Sequence, residues 1–287
     1  MTLSNRLVAF VDTSPYAESV CDYSAWAAGR GGQTVELVHV LDQAAKPETN
    51  MSGTIGLGAR SNLLEQLASL DAERAKIAQA QGRAVLEDAA HRIRGTAPAL
   101  STTESLRHGG IVDAVKAVGQ DAALVVVGKR GDTRDVTSGL IGTNVEAVIR
   151  ASSSPVLVAN RAFSTPEKFL IAYDGGPSVE RAIDYIVATG VLSGMQGLLV
   201  SVGQRDDTID QKMLSACSRL AAVGVTATAQ WRDGDQVEAS IAQSIAEEQI
   251  DLLVMGAFGH SRIRSMVIGS ATTAMVQVCK VPVLMIR

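Results

Sequence analysis

Apolar positions along this chain fall into short runs separated by segments of helical period. Positions 7–11 form a brief apolar run that stops at Asp12, the pattern of a buried strand. Ser14 and Pro15 follow, and the sequence predicts a helix capped by Ser14 with Pro15 at its first position, running over 17–28 to the Gly29–Gly32 breaker. A second strand is predicted at 34–40. The stretch around Gly53, Gly56 and Gly58 reads as a loop over 43–61. From about Asn62 to Arg94 the pattern is helical, with Leu63, Leu67 and Leu70 on one face as core or partner-facing packing, and Gly82 placed to bend or divide the helix. A short strand at 102–106, a helix at 111–118, a strongly apolar strand at 124–127, a helix ending near Arg150 and a strand at 155–158 complete the first pass.

The pattern then restarts. Positions 169–174 repeat 7–12, again ending in an aspartate, and Asp174-Gly-Gly-Pro-Ser leads into a helix through Ala188. Strands are predicted at 198–202, 225–230 and 252–255, and 282–287 echoes 155–158. Asp12 and Asp174 stand 162 positions apart, whereas Gly128 and Gly256 stand 128 apart, so the first copy carries about 34 extra residues. The 43–61 loop and the long helix absorb them. With a linker at 162–166, the chain divides into domains 1–161 and 162–287.

Strands alternating with helices predict α/β domains with right-handed parallel crossovers and helices on both sheet faces. The expected fold is two similar doubly wound five-stranded parallel sheets, each of order 3-2-1-4-5, in tandem. Ligands of such sheets sit beyond the strand carboxyl ends, where strand order reverses. That rule puts Asp12 beside Gly128, and Asp174 beside Gly256. The last strands of the halves are predicted to align edge to edge as a pseudo-dimer within one chain, which would cover two otherwise exposed edges.

Composition narrows the function. The chain is 46% hydrophobic but 3% aromatic, so its cores are aliphatic, and a net charge of −4 argues against broad binding to nucleic acid. No apolar run is long enough to span a membrane, and no secretory leader pattern opens the sequence. Cys21, Cys217 and Cys279 are few and scattered, as for reduced thiols packed in a cytoplasmic protein. His39 reads as a packed strand-end residue, and His91 and His108 as surface residues.

Candidate chemistry lies in 252–270. An apolar strand ends at Gly256, Gly259 follows, and Gly269-Ser270 opens a further helix nine residues later. Glycines let a ligand approach the backbone, and a helix N-terminus offers unpaired N–H groups that suit a phosphate. Each feature also has an ordinary reading: the glycines as a crossover turn, Ser270 as a cap, Asp174 as an Asx turn ahead of Pro177, His260 as a solvated loop residue.

Gly256-x2-Gly259-x9-Gly269-Ser270, the aspartate after the first strand and Pro-Val-Leu at the last strand together resemble the universal stress protein family, in a tandem form covering essentially the whole chain. The resemblance implies a fold that binds ATP or a related adenine nucleotide, with Mg2+ as a candidate companion. It also implies frequent dimers, so a homodimer is a further option. Carried over, the site is Asp174, Gly175, Gly256, Ala257, Gly259, His260, Gly269, Ser270 and Ala271. The first copy departs from the pattern, because Gly131 and Gly142 enclose ten residues. Its weaker candidates are Asp12, Gly128, Lys129, Arg130, Gly131, Gly142 and Thr143.

Charge separates the copies. The first loop carries Asp132 and Asp135, and Thr143-Asn-Val-Glu146 fits a capping box that would occupy the helix N–H groups itself. Lys129 and Arg130 oppose this, either as anion contacts or as solvated loop residues. The second loop carries His260, Arg262 and Arg264, with no acid from Gly256 through Gln277. A competent second site and a degenerate first one are expected.

No Walker lysine loop, zinc-ligand spacing or second defensible carboxylate appears. The sequence therefore favours a binding or signalling module in the stress response, with slow ATPase activity at most. The alternatives are a scaffold with vestigial sites or a receptor for another small ligand. The 51–60 stretch is a candidate lid over a crevice.

Overall fold

A computed structural model describes residues 4–41, 57–130, 143–257 and 275–287, with side chains from 65 and 145 onward in the second and third stretches. The first half comprises β1 (Arg6–Phe10), α1 (Ala17–Gly31), β2 (Thr34–Leu41), α2 (Leu57–Thr96), β3 (Thr102–His108), α3 (Ile111–Val118), β4 (Leu124–Gly128), α4 (Thr143–Ala151) and β5 (Val156–Ala159). The second comprises β6 (Lys168–Ala172), α5 (Pro177–Thr189), β7 (Gln196–Val202), α6 (Asp207–Ala221), β8 (Thr226–Arg232), α7 (Val237–Glu247), β9 (Leu252–Gly256) and β10 (Val283–Ile286). A helical stretch at 275–278 precedes β10.

The ten strands form one sheet in the order β3-β2-β1-β4-β5-β10-β9-β6-β7-β8. Each half has the expected 3-2-1-4-5 order with parallel pairings. The halves join where β5 and β10 run antiparallel, with Leu284 opposite Leu157. This is the predicted edge-to-edge pseudo-dimer.

Alternation along the strands sorts apolar side chains to the two sheet faces. Leu7, Ala9, Phe169, Ile171, Leu252 and Leu284 face a core closed by Tyr23 of α1, Ile93 of α2, Ile183 of α5 and Met213 of α6. Val8, Phe10, Leu170 and Leu253 face the opposite core, closed by Val115, Val148, Ile241 and Val276. Each core runs through both halves. Cys21 and Cys279 are buried within them, and desolvation raises their thiol pKa values to about 12 and about 11.

Several local expectations need correcting. Helix α1 begins at Ala17, not Pro15, because Ser14 orders the preceding turn instead of capping the helix. Its Oγ accepts the Tyr16 N–H at 3.3 Å, and its own N–H bonds Asp12 Oδ1 at 3.0 Å. Helix α2 is not divided at Gly82. A Cβ there would lie 2.7 Å from Leu106 Cδ1 and 2.9 Å from His39 Cδ2, so the glycine seats the helix closely on β2 and β3. Helix α2 also begins at Leu57, which makes 57–61 helical where a loop was predicted. The rest of that loop, and most of the candidate lid, lies outside the described residues. Helix α6 starts at a side-chain cap, Asp206 Oδ1 accepting from Thr208 and Ile209 N–H.

Among the described residues no helix is long and apolar enough to cross a membrane.

Candidate functional site

The parallel pairing of β1 with β4, Ala9 opposite Val126, carries Asp12 and Gly128 together to the carboxyl end of the sheet. Pairing of β6 with β9, Ala172 opposite Met255, does the same for Asp174 and Gly256. Both aspartates order their own loops. Asp12 Oδ1 accepts the Ser14 N–H, and Asp174 Oδ1 accepts the Gly176 N–H at 2.9 Å. The Asx-turn reading of Asp174 therefore holds, although the helix cap itself is Gly176.

Both strand-end glycines answer to a close contact within the fold. A Cβ at Gly256 would lie 2.7 Å from Ser178 Cβ, and one at Gly128 would lie 2.7 Å from Tyr16 Cβ. In each half the start of the first helix closes against the end of the fourth strand, and only glycine leaves room. Gly175 adds a left-handed conformation, φ 67°, with Ile209 Cγ1 3.3 Å from where its Cβ would be.

In the first half the switch point opens into a cavity of about 840 Å³ between the ends of β1, β2 and β4, the start of α3, helix α4 and one face of α2. Its walls are largely aliphatic, from Val38, Val40, Val127, Ile111, Val145 and Val148. Among the described residues, Asp12, Thr13, His39, Gln81, Asp88 and Arg130 supply its polar side chains. His39 is packed and bonded as expected: Nδ1–H donates to the Val11 carbonyl at 2.8 Å, which leaves Nε2 as the acceptor in the neutral ring.

Lys129 is half-buried and is not among the described residues that line this cavity. Its ammonium donates to the Gln277 carbonyl at 3.0 Å and the Cys279 carbonyl at 2.6 Å, across the junction between the halves, and desolvation lowers its pKa. Arg130 does line the cavity. Gly131 and Gly142 fall outside the described residues, as does the side chain of Thr143, whose backbone opens α4. The expected capping-box carboxylate, Glu146, pairs with Arg150 one turn on, at 2.6 Å.

In the second half Asp174, Gly175, Gly256 and Ala257 converge at the switch point. Asp174 is exposed, whereas Ala257 is buried, its N–H bonded to the Ile286 carbonyl at 2.7 Å. Gly259, His260, Gly269, Ser270 and Ala271 lie in 258–274, outside the described residues. Sequence reading missed Lys212, whose ammonium donates to the Gly175 carbonyl at 3.1 Å. It also missed the support behind the loop. Buried Tyr173 donates to Glu180, and Arg219 bonds Glu180 at 2.8 Å and Asp184. Burial, then the Glu180 bond, raises the Tyr173 pKa. These residues sit on or beside α6, for which no period was read. In the first half Gln81 and Asp88 were missed because the inward face of α2 depends on where the helix docks. Among the described residues no three His, Cys, Asp or Glu side chains gather as a metal site.

Comparison with known proteins agrees with this architecture. The model of the universal stress protein family matches residues 4–160 and 193–287, which leaves the Asp174 loop outside the matched segments. A curated relative, universal stress protein Slr1230 of Synechocystis sp., is 32% identical over 287 residues, covering 98% of this chain and 99% of its own. The crystal structure of a universal stress protein from Archaeoglobus fulgidus superposes with a TM-score of 0.72 at 18% identity, over 99% of this chain and 98% of that one. A putative universal stress protein from Pseudomonas aeruginosa gives 0.61 at 12% identity, over 99% and 93%. These two share the fold. With the family model matched in both halves and a relative similar from end to end, the chain belongs to the universal stress protein family.

Proposed function

We propose that this chain is a cytoplasmic adenine-nucleotide-binding module of the stress response, built from domains 1–161 and 162–287, with its nucleotide site in the second. The observation that carries the reading is the meeting of Asp174 and Gly175 with Gly256 and Ala257 at the β6/β9 switch point. There a Gly-rich loop of basic character, with Gly259, His260, Gly269, Ser270 and Ala271, follows in the sequence. Family membership supports ATP or a related nucleotide as the ligand. Lys212 adds a cation at the rim of the Asp174 loop. Mg2+ would enter with the phosphates, which can supply its ligands themselves. Binding without turnover is the favoured mode, since phosphoryl transfer needs a positioned metal set and a group that orients the nucleophile.

Mass spectrometry of small molecules released from the purified chain, with calorimetric ATP titration, tests this. About one adenine nucleotide per chain is expected, with binding weakened at least ~100-fold by Gly259→Glu, which sets a carboxylate where phosphate would sit. No binding at millimolar ATP would refute the proposal.

A further inference from the structure

We propose that the first-half cavity is a separate ligand site for a compact apolar molecule bearing one positive charge, an aryl or alkyl amine, and not for a nucleotide. The proposal stands on the cavity and is independent of the nucleotide reading for the second half.

At about 840 Å³ the cavity lies within the ~300–1,000 Å³ range of small-molecule sites. Its aliphatic walls, Val38, Val40, Val127 and Val148 among them, suit an apolar body. Its charged lining consists, among the described residues, of Asp12 and Asp88 against Arg130. A neighbouring cation, Lys129, is turned to the Gln277 and Cys279 carbonyls. His39 is oriented by the Val11 carbonyl so that, in its neutral form, its other ring nitrogen accepts and does not donate. Among the described side chains, an ammonium group would find two carboxylate acceptors, Asp12 and Asp88, beside one guanidinium, Arg130.

The chain itself supplies a contrast. Helix α2 walls the first crevice with Gln81 and Asp88, while α6, the corresponding helix of the second half, brings Lys212 to the Asp174 loop. The two crevices have the same topological origin but receive different side chains from that helix, an amide and a carboxylate in the first and a lysine in the second. Asp12 is partly buried and bonded by the Ser14 N–H, which holds its carboxyl group at the cavity wall. Asp88 is exposed and marks the mouth. Solvent screening at the mouth makes the expected charge preference moderate.

Three probes with one naphthalene body test this on the full-length chain: 1-naphthylmethylamine, 1-naphthalenemethanol and 1-naphthoate, titrated by calorimetry. Saturable binding of about one amine per chain is expected, ~5–10-fold tighter than the carboxylate. Asp88→Asn and Asp12→Asn, the latter keeping an acceptor for Ser14, should bring the amine toward the alcohol's affinity. Ala84→Trp, on the solvent-exposed side of α2 at the cavity rim, should block all three probes while circular dichroism stays unchanged. Saturating ATP should leave the amine isotherm unmoved. The proposal is overturned by absence of binding at millimolar probe, by equal or tighter binding of the carboxylate, by insensitivity to Ala84→Trp, or by competitive displacement of the amine by ATP. Only the last of these would put a nucleotide in the first half, and none bears on the second.

Discussion

Gly256 and Gly128 look, in sequence, like places where a ligand meets the backbone. In the fold each faces the first turn of a helix, with 2.7 Å from the place a Cβ would take to the nearest side-chain carbon. Because the obstructing atoms belong to a helix start and cannot swing aside, a single methyl must push α5 or α1 outward. Gly256→Ala is therefore expected to cost about 1–3 kcal/mol of stability, measured by urea unfolding, even without ligand. A loss confined to ligand binding, with stability unchanged, would show that the contact yields. Asp174 teaches a similar lesson. Its bond to the Gly176 N–H shapes the loop first, and any ligand contact must use what that bond leaves. Such dual roles are hidden in sequence, since a glycine or an aspartate carries no mark of the partner that needs it.

Elements were legible wherever apolar period was strong. Helix α3 spans Ile111–Val118 as predicted, and the repeated strands fall within a residue or two of their expected ends. Less legible were the features set by docking between elements. Helix α2 continues through Gly82, where side chains of β2 and β3 pack against it too closely for a Cβ. Lys129 looked like a loop cation, yet it ties the end of β4 to carbonyls at the close of the 275–278 helical stretch. Arg287, at the end of β10, reciprocates by donating to the Arg150 carbonyl in the last turn of α4 at 3.2 Å. Cations bonded to helix C-terminal carbonyls also meet the negative end of the helix dipole. Lys129→Met leaves the Gln277 and Cys279 carbonyls without that donor, and about 1–2 kcal/mol of lost stability is expected in denaturant unfolding, reduced by the relief of burying an ammonium. Full stability in the variant would mean that water replaces the ammonium at no cost.

At the scale of the molecule, one ten-stranded sheet and two cores cross the midline, so the halves are expected to depend on each other for stability. The antiparallel β5–β10 junction holds Leu284 and Leu157, 3% and 1% exposed, opposite each other. Leu284→Asp would bury a carboxylate there, at an expected cost above about 3 kcal/mol. A single cooperative transition in the wild type, moved to lower denaturant or split in two by this variant, is the expected result. An unchanged midpoint would show that the halves fold without their junction. Among the described residues the outer edges of the sheet are β3 and β8, and these are open to further association of chains, as are the outer helix faces. One such face belongs to α2, where Leu70 and Ile77 remain 51% and 53% exposed.

Sequence alone determined the repeat and the alternation of strands and helices, which follow from local period written in short stretches of chain. The order 3-2-1-4-5 was one arrangement that right-handed parallel crossovers permit, and the strand pairings that bring Asp12 to Gly128 and Asp174 to Gly256 bear it out. Tertiary structure decided which cations remain available to a ligand, which glycines serve packing, and that the inner face of α2 closes a large aliphatic cavity in the first half. Those depend on contacts between residues up to 150 positions apart, as Lys129 and Cys279 are, and no local pattern encodes a meeting at that distance.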